Sequence, residues 1–213
     1  MLLVCGAAYA DNYSYKRTTA GDAAAGSMTL RKADFPAQLL LAGGRVKPDE
    51  TPNVDSCNGY IPKESDLVVI GDAESRLSDS AHSVVVDSQV ELFRSTAMAA
   101  KDVRRGKRML SPTCQAQTAT QEHVKLVSYS LLGRPNCSCD FAVSVMFETK
   151  TPHPNLDLLV ILTAVRKGKF EATVLTSVGK ATNNAQSAKA AATTALGVQG
   201  LAVKATLSRL HAT

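Results

Sequence analysis

No tryptophan occurs in the 213 residues, and five Phe and five Tyr are the only other large aromatics. A core without large rings must be filled by Val, Leu, Ile and Ala, which leaves little with which to cradle a flat aromatic cofactor. The four histidines, His82, His123, His153 and His211, include no i, i+4 pair, and no His-Glu-x-x-His sequence occurs, so the helical zinc-hydrolase pattern is missing. Gly-x-Ser-x-Gly is also missing, so no serine is marked as a nucleophile. Gly21–Gly26 has the spacing of a phosphate loop, but the lysine required before Ser27 is absent. No metal, cofactor or catalytic residue is expected on these grounds.

A strong charge imbalance is lacking as well. The net charge is +5, with 24 basic and 19 acidic residues spread along the chain, which argues against nucleic acid as a partner. The one dense basic run is Lys101, Arg104, Arg105, Lys107 and Arg108. It reads as the solvated face of a helix, with phosphate or lipid-headgroup binding as the sharper alternative.

Met1–Ala10 is almost wholly apolar and closes on Ala8-Tyr9-Ala10, the small-x-small pattern cut by signal peptidase. It is too short to span a bilayer and reads as the remnant of a signal peptide, which places the domain outside the cytoplasm. Cys5 offers a second reading as a lipidation site, although Val4 is bulky where a lipoprotein box takes a small residue. Peripheral or lipid-anchored membrane association therefore stays open.

The remaining cysteines, Cys57, Cys114, Cys137 and Cys139, are even in number. In an exported chain that predicts disulfides, with three connectivities possible. Cys57 to Cys114 is the favoured bridge; it closes a loop of about 57 residues and stabilises by about 4 kcal/mol on the chain-entropy model. Cys137-Ser138-Cys139 would then form a small ring, open to thiol exchange. A zinc site is the weaker reading, because Cys-Ser-Cys is not knuckle spacing and no second close pair exists. Asn12-Tyr13-Ser14 and Asn136-Cys137-Ser138 match the N-glycosylation triplet.

Residues 11–33, rich in Ala, Gly, Ser and Thr, read as a flexible tether before a single domain over 34–213. A short helix is expected at 36–42, then an irregular loop punctuated by Gly and Pro. Strand signals start at Asp66–Ile70 and continue in the alternation of Val84, Val86, Ser88, Val90 and Leu92, with one face buried and one wet. Ser95 or Thr96 starts a helix that runs to Leu110 and stops at Pro112. Val124–Leu132 pairs with a strand through Phe141, Val143, Val145 and Phe147, with Cys137 and Cys139 at the turn. A second hairpin joins 156–166 to 169–178, with Leu158, Val160, Leu162 and Ala164 facing inward with Phe170, Ala172 and Val174. Ala192, Leu196, Gly200, Val203, Leu207 and Leu210 then recur at three and four, the buried stripe of a long helix. Gly197 and Gly200 would let that helix approach the sheet closely. The fold class is α+β: an antiparallel sheet of about six strands, with a mid-chain helix and a long C-terminal helix packed on it, tied by disulfides.

Leu30-Arg31-Lys32-Ala33-Asp34-Phe35-Pro36, Pro62-Lys63-Glu64-Ser65-Asp66-Leu67, Gly71-Asp72-Ala73-Glu74-Ser75 and the helix ending before Cys114 together resemble a group of uncharacterised exported actinobacterial proteins. These are similar in layout to the extracellular sensor domains of mycobacterial serine/threonine kinases. The resemblance implies a disulfide-tied domain with a ligand cleft and no catalytic residue to carry over. This sequence departs from the pattern in having no Trp after Pro36 or within the helix over 96–110. The functional expectation is an exported, non-enzymatic binding or sensor-like domain of the cell envelope, its partner a small ligand or an envelope protein. A hydrolase or a thiol-disulfide enzyme using Cys137 and Cys139 is the alternative. Asp34 and Asp72-Ala73-Glu74 are expected as solvated carboxylates at element ends.

Overall fold

A computed structural model describes residues 14–47, 67–121, 125–150, 156–181 and 184–212. In chain order these form β1 (Ser14–Tyr15), α1 (Thr19–Met28), a 3-10 turn (Lys32–Asp34), β2 (Ala42–Val46), β3 (Val68–Asp79), β4 (Val84–Phe93), α2 (Thr96–Met109), α3 (Pro112–Gln121), β5 (Lys125–Gly133), β6 (Phe141–Lys150), β7 (Leu156–Lys167), β8 (Phe170–Ala181) and α4 (Ala185–His211). The fold is mixed α+β with a long C-terminal helix, and the sheet holds eight strands rather than six.

The six long strands are the expected ones, and the two additions are short edge pieces. Strand order is β1-β3-β4-β8-β7-β6-β5. β1 pairs in parallel with the start of β3, and β2 pairs antiparallel with its second half. Together they satisfy the outer edge of β3, whose backbone groups would otherwise be left unpaired. At the opposite edge, β5 carries register breaks at Leu126/Ser128 and Leu131/Gly133. Such bulges blunt an exposed edge against further pairing.

Helices cover both faces of the sheet, not one. Val84, Val86, Ile161 and Val174 meet Ala191, Ala195, Val198 and Ala202 of α4, and Ala73, Val90 and Ala172 meet Ala25 and Met28 of α1. The other face packs Val69 and Phe93 under Ala99 of α2, and Val145, Phe147, Val160 and Leu162 against Leu110. This double cover corrects the expected inward sets. Leu162 lies opposite Leu175, whereas Val174 lies opposite Thr163, so the even residues of β7 and of β8 occupy opposite faces and both are buried. The turn between these strands uses Gly168 at a φ of +59°, a conformation glycine adopts without steric cost.

Residues 14–33, read as a tether, are structured. Thr18 Oγ1 caps α1 by accepting from Gly21 N at 2.9 Å, and Ala25, Met28 and Leu30 are buried in the core. The small residues that mimic a linker are those that let a helix lie close to the sheet. The helix expected at 36–42 is also absent; after the Lys32–Asp34 turn, Leu39 N bonds Pro36 O and the chain turns into β2. Pro112 does stop α2, but it also opens α3, where Ser111 Oγ accepts from Cys114 N at 3.2 Å. Proline at the first helical position costs no hydrogen bond.

Of the stripe expected on the C-terminal helix, Leu210 is buried and Ala192 and Leu207 pack at the edge of the core, but the centre of the buried face is shifted from Leu196, Gly200 and Val203. Its buried positions are Ala191, Ala195, Val198, Gln199, Ala202, Thr206 and Leu210, while Leu196 is 50% exposed. Gln199 explains the shift. Its Nε2 donates to Thr163 Oγ1 at 2.8 Å and to Val174 O at 3.1 Å, and its Oε1 accepts from Thr176 Oγ1 at 2.5 Å. Ser144 Oγ, 2.8 Å from Thr163 Oγ1, extends the network. A buried amide so fully bonded fixes helix orientation more sharply than interchangeable alanine contacts.

Gly197 and Gly200 therefore do not serve close approach: a Cβ built on either meets nothing within 4 Å. Gly197→Ala is expected to raise stability by about 0.5–1 kcal/mol, read as an upward shift in chemical-denaturation midpoint at unchanged slope.

Candidate functional site

Part of the α4 surface beside its sheet-facing side lines a groove. Gly200, Val203 and Leu207 form one wall, and Pro135 and Asn136 of the β5–β6 turn form the facing one. Lys204, Ser208 and His211 place polar groups along the same opening, a shallow groove with a volume of about 520 Å³. Spacings of three and four along α4 put 200, 203, 204, 207, 208 and 211 on one side of the helix. Leu207 also touches the core formed by Met28, Val90 and Ala142, so the apolar wall of the groove is continuous with the interior.

Cys137 and Cys139 are bonded to each other beside this groove, and Arg134 holds the turn by donating to Cys139 O at 2.7 Å. Cys114, in the first turn of α3, is also disulfide-bonded. Its favoured partner Cys57 lies outside the described residues, as do Cys5, Met1–Ala10, Asn12, His123 and His153.

The basic run of α2 does not form one solvated face. Arg104 and Lys107 are exposed, Lys101 is half-buried, and Arg105 is only 9% exposed. Lys107 Nζ lies over the Phe141 ring, 4.8 Å from its centroid, a cation–π contact. The side chain of Arg108 is outside the described set. These residues are thus divided between solvent, an aromatic face and the protein interior.

Asp34 and Asp72, read as solvated carboxylates at element ends, are instead paired and buried, respectively. Asp34 pairs with Arg209 at 2.5 Å and accepts from Arg31 N at 2.6 Å. Asp79 accepts from Leu40 N, Ala81 N and His82 Nδ1 at 2.8–3.0 Å. The His82 bond, foremost, holds the Asp79 carboxyl below the usual carboxylate range. This His–Asp contact fastens the β3–β4 turn. Asp72 is 1% exposed and neither of its oxygens has a hydrogen-bond partner. Burial pushes it up to about 6, only partly offset by the nearby Arg17 charge and Gln89 amide.

Beside Asp72, and missed by the sequence reading, Glu91 and Glu171 face α2, which contributes Asp102. Burial, then the charges of Asp102 and Glu91, raise the Glu171 carboxyl well above the ordinary range. The available signal was the acid-and-amide parity of β4, where Asp87, Gln89 and Glu91 alternate with Ser88 and Val90. That pattern reads equally as a wet face when nothing shows that a helix covers it.

Among the described residues, no three or more His, Cys, Asp or Glu side chains are grouped so as to hold a metal ion, and no helix is long and apolar enough to cross a membrane. No protein-family model matches the chain, and no curated protein is similar to it in sequence.

Proposed function

We propose that this chain is an extracytoplasmic, non-enzymatic binding domain of the cell envelope whose groove between α4 and the β5–β6 turn takes a small amphipathic anion. The observation that carries this reading is the second apolar stripe of α4. Gly200, Val203 and Leu207 line the groove at the spacing of a core-facing stripe, while Ala191, Ala195, Val198, Gln199, Ala202 and Thr206 serve the sheet. An apolar stripe left facing a groove is matched by an apolar ligand body. Lys204 and His211 along the opening, on a chain of net charge +5, favour an anionic head. The envelope location is supported by the apolar first ten residues and by the bonded cysteines.

Gly200 supplies the test, because a Cβ there meets nothing within 4 Å and a larger side chain would extend into the groove. Octyl phosphate and octanoate are the probes, with octanol and octyltrimethylammonium as controls and calorimetry as the readout. The wild-type chain is expected to bind the two anions and neither control. Gly200→Phe is expected to abolish binding without lowering the melting temperature, and Lys204→Ala to weaken it about tenfold, the worth of one charge-assisted contact. Equal binding of octanol, or unchanged binding by Gly200→Phe, would contradict the proposal. Binding only to anionic vesicles, and not to the dispersed probes, would move the reading to a membrane surface.

A further inference from the structure

The β5–β6 turn, which makes one wall of the groove, is closed covalently. β5 ends at Gly133 and β6 begins at Phe141, and between them Cys137 and Cys139 are bonded across the single residue Ser138. Asp140 fixes the far foot of the turn: its N donates to Arg166 O at 2.9 Å, and its Oδ2 accepts from Gly168 N at 2.8 Å. Among the described residues, 134–139 make no main-chain to main-chain hydrogen bond. The bridge, with the Arg134 bond to Cys139 O at 2.7 Å, therefore gives this arc its shape. Cys137 and Cys139 both pack in the cluster that Leu207 of α4 joins. The bridge thus seats the Pro135–Asn136 wall on the same cluster as the α4 wall that faces it.

The two sulfurs are not equivalent. Cys137 is half-buried and Cys139 is only 8% exposed, so a thiolate from solvent reaches the Cys137 sulfur and Cys139 becomes the leaving group. Arg134 brings its positive charge to Cys139, which favours departure as a thiolate. A bridge that encloses one residue also removes little entropy from the unfolded chain, so folding holds it shut less firmly than a bridge across a long loop.

Taking the groove between α4 and the β5–β6 turn as the binding site, we propose that the Cys137–Cys139 bridge is a redox latch on it. A dithiol reductant opens the bridge, the Pro135–Asn136 wall withdraws, and the ligand is released. One thiolate of the dithiol attacks Cys137 Sγ, forming a mixed disulfide as the Cys137–Cys139 bond breaks, and Cys139 leaves as a thiolate that takes a proton from solvent. The second thiol of the reductant, deprotonated, attacks the reductant's own sulfur in the mixed disulfide, which closes the reductant's disulfide and frees Cys137. Two electrons pass from the dithiol to the bridge, and the reverse steps with the oxidised dithiol re-form it.

The full chain is compared by amide chemical shifts before and after dithiothreitol, with alkylation and mass spectrometry identifying the cysteines opened. Dithiothreitol is expected to open Cys137–Cys139 before the bridge at Cys114 and to move the amides of Val203, Lys204, Leu207 and Ser208 across the groove. Octyl phosphate affinity is expected to fall about tenfold, the cost of ordering one or two freed side chains on binding. Cys137→Ser combined with Cys139→Ser leaves the Cys114 bridge in place. That variant is expected to show the reduced shifts and affinity without reductant and to change no further with it. Should it not fold, wild-type chain reduced only at Cys137 and Cys139 gives the same comparison. The latch is overturned by a bridge that survives dithiothreitol in the folded chain, by α4 shifts that stay put once it opens, or by a measurable affinity that is equal in both states. Shifts that move as expected in a chain that binds no octyl phosphate in either state would support the movement of the wall and sink the ligand reading alone.

Discussion

Gly71→Ala is expected to cost about 3 kcal/mol, a drop in melting temperature of roughly 6–12 °C for a chain of this size. A Cβ on Gly71 would lie 2.2 Å from the backbone carbon and oxygen of Gly21, and one on Gly21 would lie 2.0 Å from Ile70 O. Neither neighbour is a side chain that can swing aside, so the first turn of α1 has to move. The move breaks Thr18 N to Ile70 O at 3.0 Å and Asp72 N to Asp22 Oδ1 at 3.1 Å. It also draws Ala25 and Met28 out of the core they share with Val90 and Leu210. Gly44→Ala is the control, since its Cβ meets nothing within 4 Å; it is expected to leave the melting temperature within a degree or two. Equal effects at Gly71 and Gly44 would show that α1 is not seated on β3.

The second large effect depends on pH. The Asp72 carboxyl, raised by burial from 3.8 to about 6, holds a proton in the folded state that the unfolded chain releases. Stability therefore falls as pH rises from the unfolded value through the folded one, and the full cost of about 3 kcal/mol is present above that window. Arg17 and Asp22 from the β1–α1 segment, Glu74 on β3, and Gln89 and Glu91 on β4 are the polar groups around it. Asp72→Asn removes the ionisation. It is expected to stabilise the domain by about 3 kcal/mol at pH 8 and by almost nothing below about pH 4, as read by urea unfolding across pH. A gain that is the same at both ends would mean that the cost is packing and not charge.

Much of this architecture is legible in the residues, and the gaps have identifiable causes. The six long strands announce themselves because β-branched residues recur at the strand period, as in Val84, Val86 and Val90. The second half of β3 does not, because Asp72, Glu74 and Arg76 occupy one face and Ala73 and Ser75 the other, leaving Leu77 as its only large apolar residue. Its register break after Val69 also switches the parity, so that Val69 and Asp72 face the same side. β1 and β2 have little sequence signal of their own; the open edge of β3 recruits them. In α1, Ala-Gly-Ser composition serves equally for a linker and for a helix that must lie close to a sheet, and only the backbone contact between Gly21 and Gly71 distinguishes them. For α4 the period is readable but the phase is not. Two stripes compete along the helix, and the smaller residues win the sheet through the Gln199 network.

That competition is also why the groove was hidden: Gly200, Val203 and Leu207 look like core until other positions are seen to face the sheet. Amide chemical-shift mapping of the full chain titrated with octyl phosphate tests the point most directly. The account predicts shifts concentrated at Asn136 and along Gly200, Val203, Lys204, Leu207 and His211, saturating together with one affinity. Shifts centred on α2 or β5, or none anywhere, would contradict it.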